Sequence, residues 1–148
     1  MAELLKGAPV ARALTEELAA RCAALCERGV VPTLAIVRVG EREDDLSYER
    51  GALKRCEKVG IEARRVLLPA DVSQGELIAA IEDINADPSV HGCLMFRPLP
   101  AGLDEDAVAA ALDPAKDVDS MTPASLLTAL SGRGDGFAPC TAEAVLAI

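Results

Sequence analysis

Short apolar segments rich in β-branched residues alternate along this chain with longer segments of helical period. Three segments predict strands: TLAIVRVG (33–40), ARRVLLP (63–69) and VHGCLMF (90–96). Three others predict helices, at residues 8–28, 46–58 and 74–86. Such alternation is typical of a parallel sheet joined by right-handed crossovers. We therefore expect an α/β fold of three layers, with helices on both faces of the sheet.

Residues typical of helix starts support the predicted α/β fold and indicate further helices toward the C-terminus. Ser73 is expected to cap the third helix, with Glu76 in the capping-box position. Asp104 is expected to cap a fourth helix, Pro123 to begin a fifth and Thr141 to cap the last. That last helix has room for only about two turns and carries no stop signal. We expect the sequence to be part of a longer protein.

Charge and composition exclude several classes of function. The formal net charge is −9, which argues against binding to nucleic acid or to anionic membranes. No segment is long and apolar enough to span a bilayer, and no signal peptide is visible, so a soluble cytoplasmic protein is expected. The odd number of cysteines, five, predicts buried free thiols rather than disulfides. With a single histidine, His91, and no C-x-x-C, no metal site is expected.

Four short motifs carry the remaining information. They are SYERGALKRCEKVGI (47–61), GCLMFRPLP (92–100), KDVDS (116–120) and APCT (138–141). Taken singly, they indicate a charged amphipathic helix, a core strand with a stiff proline loop, a solvated charged loop and a helix start. In this order and spacing, however, they resemble the bifunctional methylenetetrahydrofolate dehydrogenase/cyclohydrolases. The acidic run at 41–45 would also suit a receiver domain, but the third predicted strand ends in Phe96 and Arg97 rather than in an aspartate.

The resemblance implies a substrate site and also two lost groups. Tyr48 matches a tyrosine that stacks on the folate ring. The position of the catalytic lysine, one helical turn later, holds Ala52. A glutamine that supports this lysine is replaced by Phe96, and a neighbouring leucine by Arg97. Arg55 shares the helical face of Tyr48, but a guanidinium does not deprotonate near neutral pH and therefore cannot shuttle protons.

The other matching residues would hold the substrate. Pro98, Leu99 and Pro100 match the loop that walls the folate slot. Asp119 matches the carboxylate that pairs with the amino-pyrimidine edge, a task that suits two adjacent acceptor oxygens. Ser120 replaces a glycine of the family pattern and is expected to tighten the turn.

These matches predict that residues 1–148 form the folate-binding catalytic domain of a longer enzyme. The complete protein would oxidise 5,10-methylenetetrahydrofolate with NAD(P), with weak cyclohydrolase activity because of Ala52 and Phe96. No G-x-G-x-x-G is present, so the nucleotide would bind outside this chain, and the isolated chain is expected to be inactive. The resemblance also implies a homodimer formed through the second half. The alternative is a non-catalytic folate-binding or regulatory module.

Overall fold

The computed structural model describes residues 5–134 and 136–148, and within them it shows an α/β fold. The helices are α1 (Gly7–Glu27), α2 (Glu43–Val59), α3 (Gln74–Ala86), α4 (Glu105–Ala111), α5 (Pro123–Ser131) and α6 (Cys140–Leu146). The strands are β1 (Thr33–Val39), β2 (Glu62–Leu68) and β3 (Gly92–Met95), and a short 3₁₀ helix spans Pro114–Lys116. Among the described residues none of the helices has the length and apolar character needed to cross a membrane.

The three strands form one parallel sheet in the order β2-β1-β3, with β1 in the centre. Because β1 is covered on both faces, nearly all of its residues are buried, as expected for a central parallel strand. Ala35, Val37 and Val39 point into the main core, against residues of α3 and α4 such as Leu77 and Val108. The predicted α/β fold with helices on both faces is confirmed.

Helix α3 begins as its sequence predicts. The Ser73 hydroxyl accepts from the Glu76 N–H at 3.3 Å, and the Glu76 carboxylate accepts from the Ser73 N–H at 2.9 Å. The Ser73 hydroxyl also donates to the Glu76 carboxylate at 2.6 Å, and this bond, followed by the bond from the Ser73 N–H, lowers the pKa of Glu76. Asp104 also caps α4 as predicted, by accepting from the Ala107 N–H at 3.0 Å.

Three expectations need correction. Helix α6 begins two residues earlier than predicted, so that Thr141 lies inside it; its N-cap is Pro139, and among the described residues no side chain caps it. Strand β3 is shorter than the predicted 90–96. The Val90 N–H donates to the Asp87 carbonyl in a turn, so Val90 lies before the strand begins. All five cysteines are free, but only three of them are buried, since Cys26 and Cys140 are exposed.

Candidate functional site

The predicted site residues gather around a cleft at the carboxyl ends of β1 and β3, where parallel sheets commonly bind ligands. Its volume is about 370 Å³, and it is lined by Arg42, Asp44, Asp45, Tyr48, Leu94, Met95, Phe96, Arg97 and Asp119. A larger groove of about 620 Å³ lies between α1 and α2 and has mainly apolar walls. We place the site in the smaller cleft because aromatic and ionisable side chains converge there.

An aromatic pair forms one wall of the cleft. The rings of Tyr48 and Phe96 meet edge to face, with centroids 5.3 Å apart and an interplanar angle of 80°. Phe96 is 7% exposed, and its backbone N–H donates to the Val37 carbonyl at 3.0 Å, so its backbone is tied to β1. Tyr48 is 61% exposed. Phe96 therefore packs against the Tyr48 ring and leaves much of the tyrosine ring available to a flat ligand.

In the charged motif at 116–120, the first residues stabilise the fold and a later one lines the cleft. The Lys116 ammonium donates to the carbonyls of Ile84, Asn85 and Asp87, at 2.6, 2.9 and 2.7 Å, and so caps the C-terminal end of α3. Gly92 in β3 packs closely under this segment, since a Cβ there would lie 2.6 Å from Val118 Cγ1. The motif is therefore anchored at its start and is not a solvated loop.

Asp117 is the structural carboxylate of this motif. It is fully buried and accepts from the N–H groups of Met121 at 3.0 Å and Thr122 at 2.8 Å. Burial alone would raise the pKa of Asp117, but these hydrogen bonds outweigh it and the pKa is lowered. The neighbouring Cys93 is itself buried, and its pKa rises to about 12, mainly through desolvation of its own thiol and further through the charge of Asp117. Asp117 therefore orders the turn that follows it.

Asp119 is the carboxylate that reaches the cleft. Its side chain is 36% exposed, and its Oδ2 lies 3.5 Å from Nη2 of Arg97. Arg97 also approaches Glu105, with 3.8 Å between its Nη1 and Oε1. The sequence indicated Asp119 and the replacement at 97, but it gave no sign that the two residues would meet.

The proline loop forms the rim of the cleft rather than its lining. The peptide between Arg97 and Pro98 is cis. The Pro98 carbonyl accepts from Nη1 of Arg42 at 3.0 Å, and the Leu99 N–H donates to Oε2 of Glu105 at 3.0 Å. Pro98, Leu99 and Pro100 are absent from the cleft lining, although Pro98 is bonded to Arg42, which lines it.

The predicted lysine position also lies outside the cleft lining. Ala52 is half-buried on α2, one turn after Tyr48. Tyr48 and Arg55 do share a face, because both line a shallow neighbouring cavity of about 380 Å³ with Asp44, Ser47 and Gly51. Lys54 is exposed and belongs to neither cavity.

Cys140 has the properties of a packing residue. Its Sγ donates to the Val118 carbonyl at 3.2 Å. Although the residue as a whole is exposed, partial desolvation of the thiol and the nearby charges of Asp119 and Glu143 raise its pKa, so little thiolate forms at neutral pH. Among the described residues, no cluster of histidine, cysteine and carboxylate side chains could hold a metal ion.

Sequence reasoning missed a buried ion cluster beside the cleft. Arg38, in the centre of the sheet, donates from Nε to Oε2 of Glu49 at 2.7 Å, and it also bonds the Gly40 carbonyl. Arg65 binds the second oxygen of the same carboxylate. Glu49 is the residue after Tyr48, so the cluster fixes the helix turn that carries this tyrosine. The available signal was an arginine inside an apolar strand, which demands a buried acceptor.

Known proteins resemble the whole described chain in sequence and fold. Residues 5–119 match the family described as "Tetrahydrofolate dehydrogenase/cyclohydrolase, catalytic domain". The chain belongs to this family. The bifunctional protein FolD of Alkaliphilus oremlandii is 45% identical over 148 residues, which are 100% of this chain and 52% of that protein. The FolD of Carboxydothermus hydrogenoformans is 46% identical over the same share of each chain.

Solved structures of the tetrahydrofolate dehydrogenase/cyclohydrolase family share the fold. The bifunctional FolD methylenetetrahydrofolate dehydrogenase/cyclohydrolase of Campylobacter jejuni has a TM-score of 0.94 and 33% identity, over 97% of this chain and 51% of that chain. The Trypanosoma brucei enzyme, complexed with NADP cofactor and inhibitor, has a TM-score of 0.89 and 31% identity, over 98% and 50%. The chain thus spans about half the length of these relatives. Because they are enzymes, they do not favour the alternative of a non-catalytic module.

Proposed function

We propose that this chain binds a reduced folate in the cleft and serves as the substrate-binding half of an NAD(P)-dependent methylenetetrahydrofolate dehydrogenase. The observation that carries the proposal is the presence of Tyr48 and Asp119 in the lining of one cavity. An exposed aromatic ring and an accessible carboxylate are the two groups that a flat heterocycle with an amino-pyrimidine edge requires.

Each side chain has a defined part in binding. The two oxygens of Asp119 would accept from the adjacent N–H groups of the pyrimidine edge, and the ring of Tyr48 would stack on the folate. Phe96 supports that ring from within the sheet. The cleft volume of about 370 Å³ is near the lower end for small-molecule sites, so the heterocycle would fill it and the tail would extend outside.

We also propose that the nicotinamide site lies outside residues 1–148. Dinucleotide phosphates favour a helix N-terminus with free backbone N–H groups. Here the helix that follows β1 begins with three carboxylates, Glu43, Asp44 and Asp45, which would repel a pyrophosphate. NAD(P) would supply the hydride acceptor, and this chain would hold the folate in position for transfer, which provides much of the rate acceleration. Purified residues 1–148 alone should therefore form no NAD(P)H from methylenetetrahydrofolate.

Cyclohydrolase activity should be much weaker than dehydrogenase activity. Hydrolysis of the methenyl bridge requires a group that titrates near the working pH. Ala52 and Phe96 cannot titrate, and Arg55 and Arg97 stay protonated. Folate positioning through Tyr48 and Asp119, by contrast, requires no group that titrates near the working pH. The proposal therefore separates the two activities of the family.

Isothermal titration with 5-formyltetrahydrofolate, a stable reduced folate, tests the binding site. Asp119→Ala should weaken binding by about 1.5–3 kcal/mol, the range for a hydrogen bond to a charged group. Asp71→Ala removes an exposed carboxylate that is not part of the cleft lining and is the matched control. Equal affinity of the unmodified protein and Asp119→Ala would reject this placement of the ligand.

Decay of methenyltetrahydrofolate, corrected for spontaneous hydrolysis and measured with the complete protein, tests the separation of activities. The double variant Ala52→Lys with Phe96→Gln should gain hydrolysis, because a lysine near the folate and its supporting amide are both restored. Ala52→Lys alone is the control, since its ammonium would lack that amide partner. Robust hydrolysis by the unmodified protein would show that another residue moves the proton.

A further inference from the structure

Arg97 lies between two carboxylates at the mouth of the cleft. Its guanidinium is 3.5 Å from Asp119 and 3.8 Å from Glu105, measured between the nearest nitrogen and oxygen atoms. The side chain of Arg97 is 36% exposed, and those of its two partners are exposed to a similar extent. Both separations exceed the 2.7–2.9 Å of a close charge-assisted hydrogen bond. The guanidinium is therefore loosely held and has two acceptors within reach.

Glu105 offers a fixed position for this guanidinium. It begins α4, and its Oε2 accepts from the Leu99 N–H at 3.0 Å. One carboxylate oxygen thus holds the proline loop, and the other faces Arg97. The negative charge stays in place whether or not Arg97 remains close to Asp119.

Asp119, the carboxylate proposed to bind the ligand, is therefore already paired with Arg97. Arg97 keeps its charge at every physiological pH, so its attraction to Asp119 is permanent. A ligand whose N–H edge needs both oxygens of Asp119 must displace the guanidinium. Glu105 lowers the cost of that displacement, because the guanidinium can shift toward it without losing an ionic partner.

We infer that Arg97 limits the affinity of the cleft because it competes with the ligand for Asp119, and that Glu105 receives its guanidinium when the ligand binds. This inference rests on the proposed function, since it takes Asp119 as the acceptor of the folate edge. It predicts a site that binds its folate more weakly than the same cleft with an apolar residue at 97. It also predicts that the affinity rises, relative to that variant, when salt screens the pair.

The experiment is calorimetric titration with two probes, 5-formyltetrahydrofolate and free pterin, which lacks the glutamate carboxylates. Four proteins are compared: the unmodified chain, Arg97→Leu, Glu105→Gln and the double variant. Leucine removes the charge at 97, and glutamine keeps an acceptor for the Leu99 N–H while removing the charge at 105. Arg97→Gln is a second neutral variant in case leucine disturbs the fold, which far-UV circular dichroism reports.

Arg97→Leu should bind both probes about twofold more tightly at low salt, which is within the range expected for one exposed ion pair. Glu105→Gln should weaken binding about twofold when Arg97 is present, because among the described residues Asp119 is then the only carboxylate near the guanidinium. The same change should have no effect in the Arg97→Leu background. In about 0.5 M salt the advantage of Arg97→Leu should largely disappear.

Two outcomes overturn the inference and leave the proposed function intact. One is equal affinity of the unmodified chain and both neutral variants at position 97. The other is weaker binding of 5-formyltetrahydrofolate, but not of pterin, by Arg97→Leu, which would mean that Arg97 binds the glutamate tail. Absence of binding in all the folded proteins would reject the proposed function, and with it this inference.

Discussion

Two clusters of three charges lie close to the cleft, and they are built in opposite ways. In the buried triad, one carboxylate, Glu49, lies between Arg38 and Arg65. In the cleft triad, one guanidinium, Arg97, lies between two carboxylates at 3.5 and 3.8 Å. The Glu49 side chain is 3% exposed, and that of Arg97 is 36% exposed. The first cluster is tightly bonded, and the second is loose.

The difference indicates which charges hold the fold and which are available to a ligand. A buried charge must be paired and hydrogen-bonded, because water no longer stabilises it. Glu49 satisfies this requirement with bonds from both arginines, so its oxygens have little capacity left. Asp119 has one distant partner and access to solvent, so a ligand can replace that partner at small cost. A polar group in this cleft is a candidate for binding because it is incompletely paired.

The largest effect should come from breaking the buried triad. Glu49→Gln removes the charge between Arg38 and Arg65 and leaves Arg38 buried without a counter-ion. We expect a loss of about 3–5 kcal/mol in the free energy of unfolding, measured by urea denaturation. Arg65→Ala is the control; its side chain is 46% exposed and Glu49 keeps its bond with Arg38, so the loss should be smaller, about 1–2 kcal/mol. Similar small losses for both variants would abolish the contrast between the triads.

The second effect concerns the two aspartates of the charged motif. Asp117→Asn should cost about 2–3 kcal/mol near neutral pH, because the buried carboxylate accepts two N–H groups and an amide has only one acceptor oxygen. Asp119→Asn, at the surface, should change stability by less than about 0.5 kcal/mol. Urea denaturation of both variants measures the difference. Equal losses would show that burial does not separate their roles.

The buried carboxylate of Asp117 also predicts that the stability of the fold depends on pH. The pKa of Asp117 is lowered in the folded protein, so its charge stabilises the fold above the unfolded pKa of about 3.9. That contribution is lost as the pH falls through the lower, folded-state pKa. The stability gap between the unmodified chain and Asp117→Asn should therefore narrow below about pH 4. A gap that stays constant down to strongly acidic pH would contradict the assigned charge.

Local sequence patterns predicted most of the fold because their causes are local. The Ser73–Glu76 cap and the Leu77 side of α3 follow from residues within one or two helical turns. The prediction of Thr141 as N-cap was wrong by two positions, because the local sequence does not fix the end of a helix to the residue. The meeting of Tyr48 with the charged motif depends on the sheet order, so the sequence indicated these residues only through resemblance.

The missed contacts are those between distant segments. Arg38 and Glu49 are both visible in the sequence, but their pairing depends on how α2 lies on the sheet. Arg97 was visible as a replacement, and its approach to Asp119 depends on the path of two separate loops. Side-chain charge alone does not choose among several partners, because exposed ion pairs differ by less than about 1 kcal/mol.

A smaller, stabilising effect is expected next to the cleft triad. Ser120 adopts a left-handed backbone with φ of +55°, and its buried Oγ has no hydrogen-bond partner among the described residues. Ser120→Gly removes both penalties, each of about 1–2 kcal/mol, and adds a backbone-entropy cost of about 0.5–1 kcal/mol. We expect a net gain of at least about 1 kcal/mol in the free energy of unfolding, measured by urea denaturation. Destabilisation would mean that the hydroxyl has a partner, such as bound water, that offsets the strain.

The smallest effect should be the coupling between Arg97 and Asp119 in the absence of ligand. A double-mutant cycle with Arg97→Leu, Asp119→Asn and the double variant isolates this pair from other contacts. Both side chains are about a third exposed and 3.5 Å apart at their closest atoms, so solvent screens their attraction. We expect a coupling free energy of no more than about 0.5 kcal/mol in unfolding, decreasing further with salt. A coupling of about 2 kcal/mol or more, comparable to a buried pair, would show that the cleft triad is structural. Asp119 would then be unavailable to a ligand, and the cleft triad would no longer differ from the buried triad in its role.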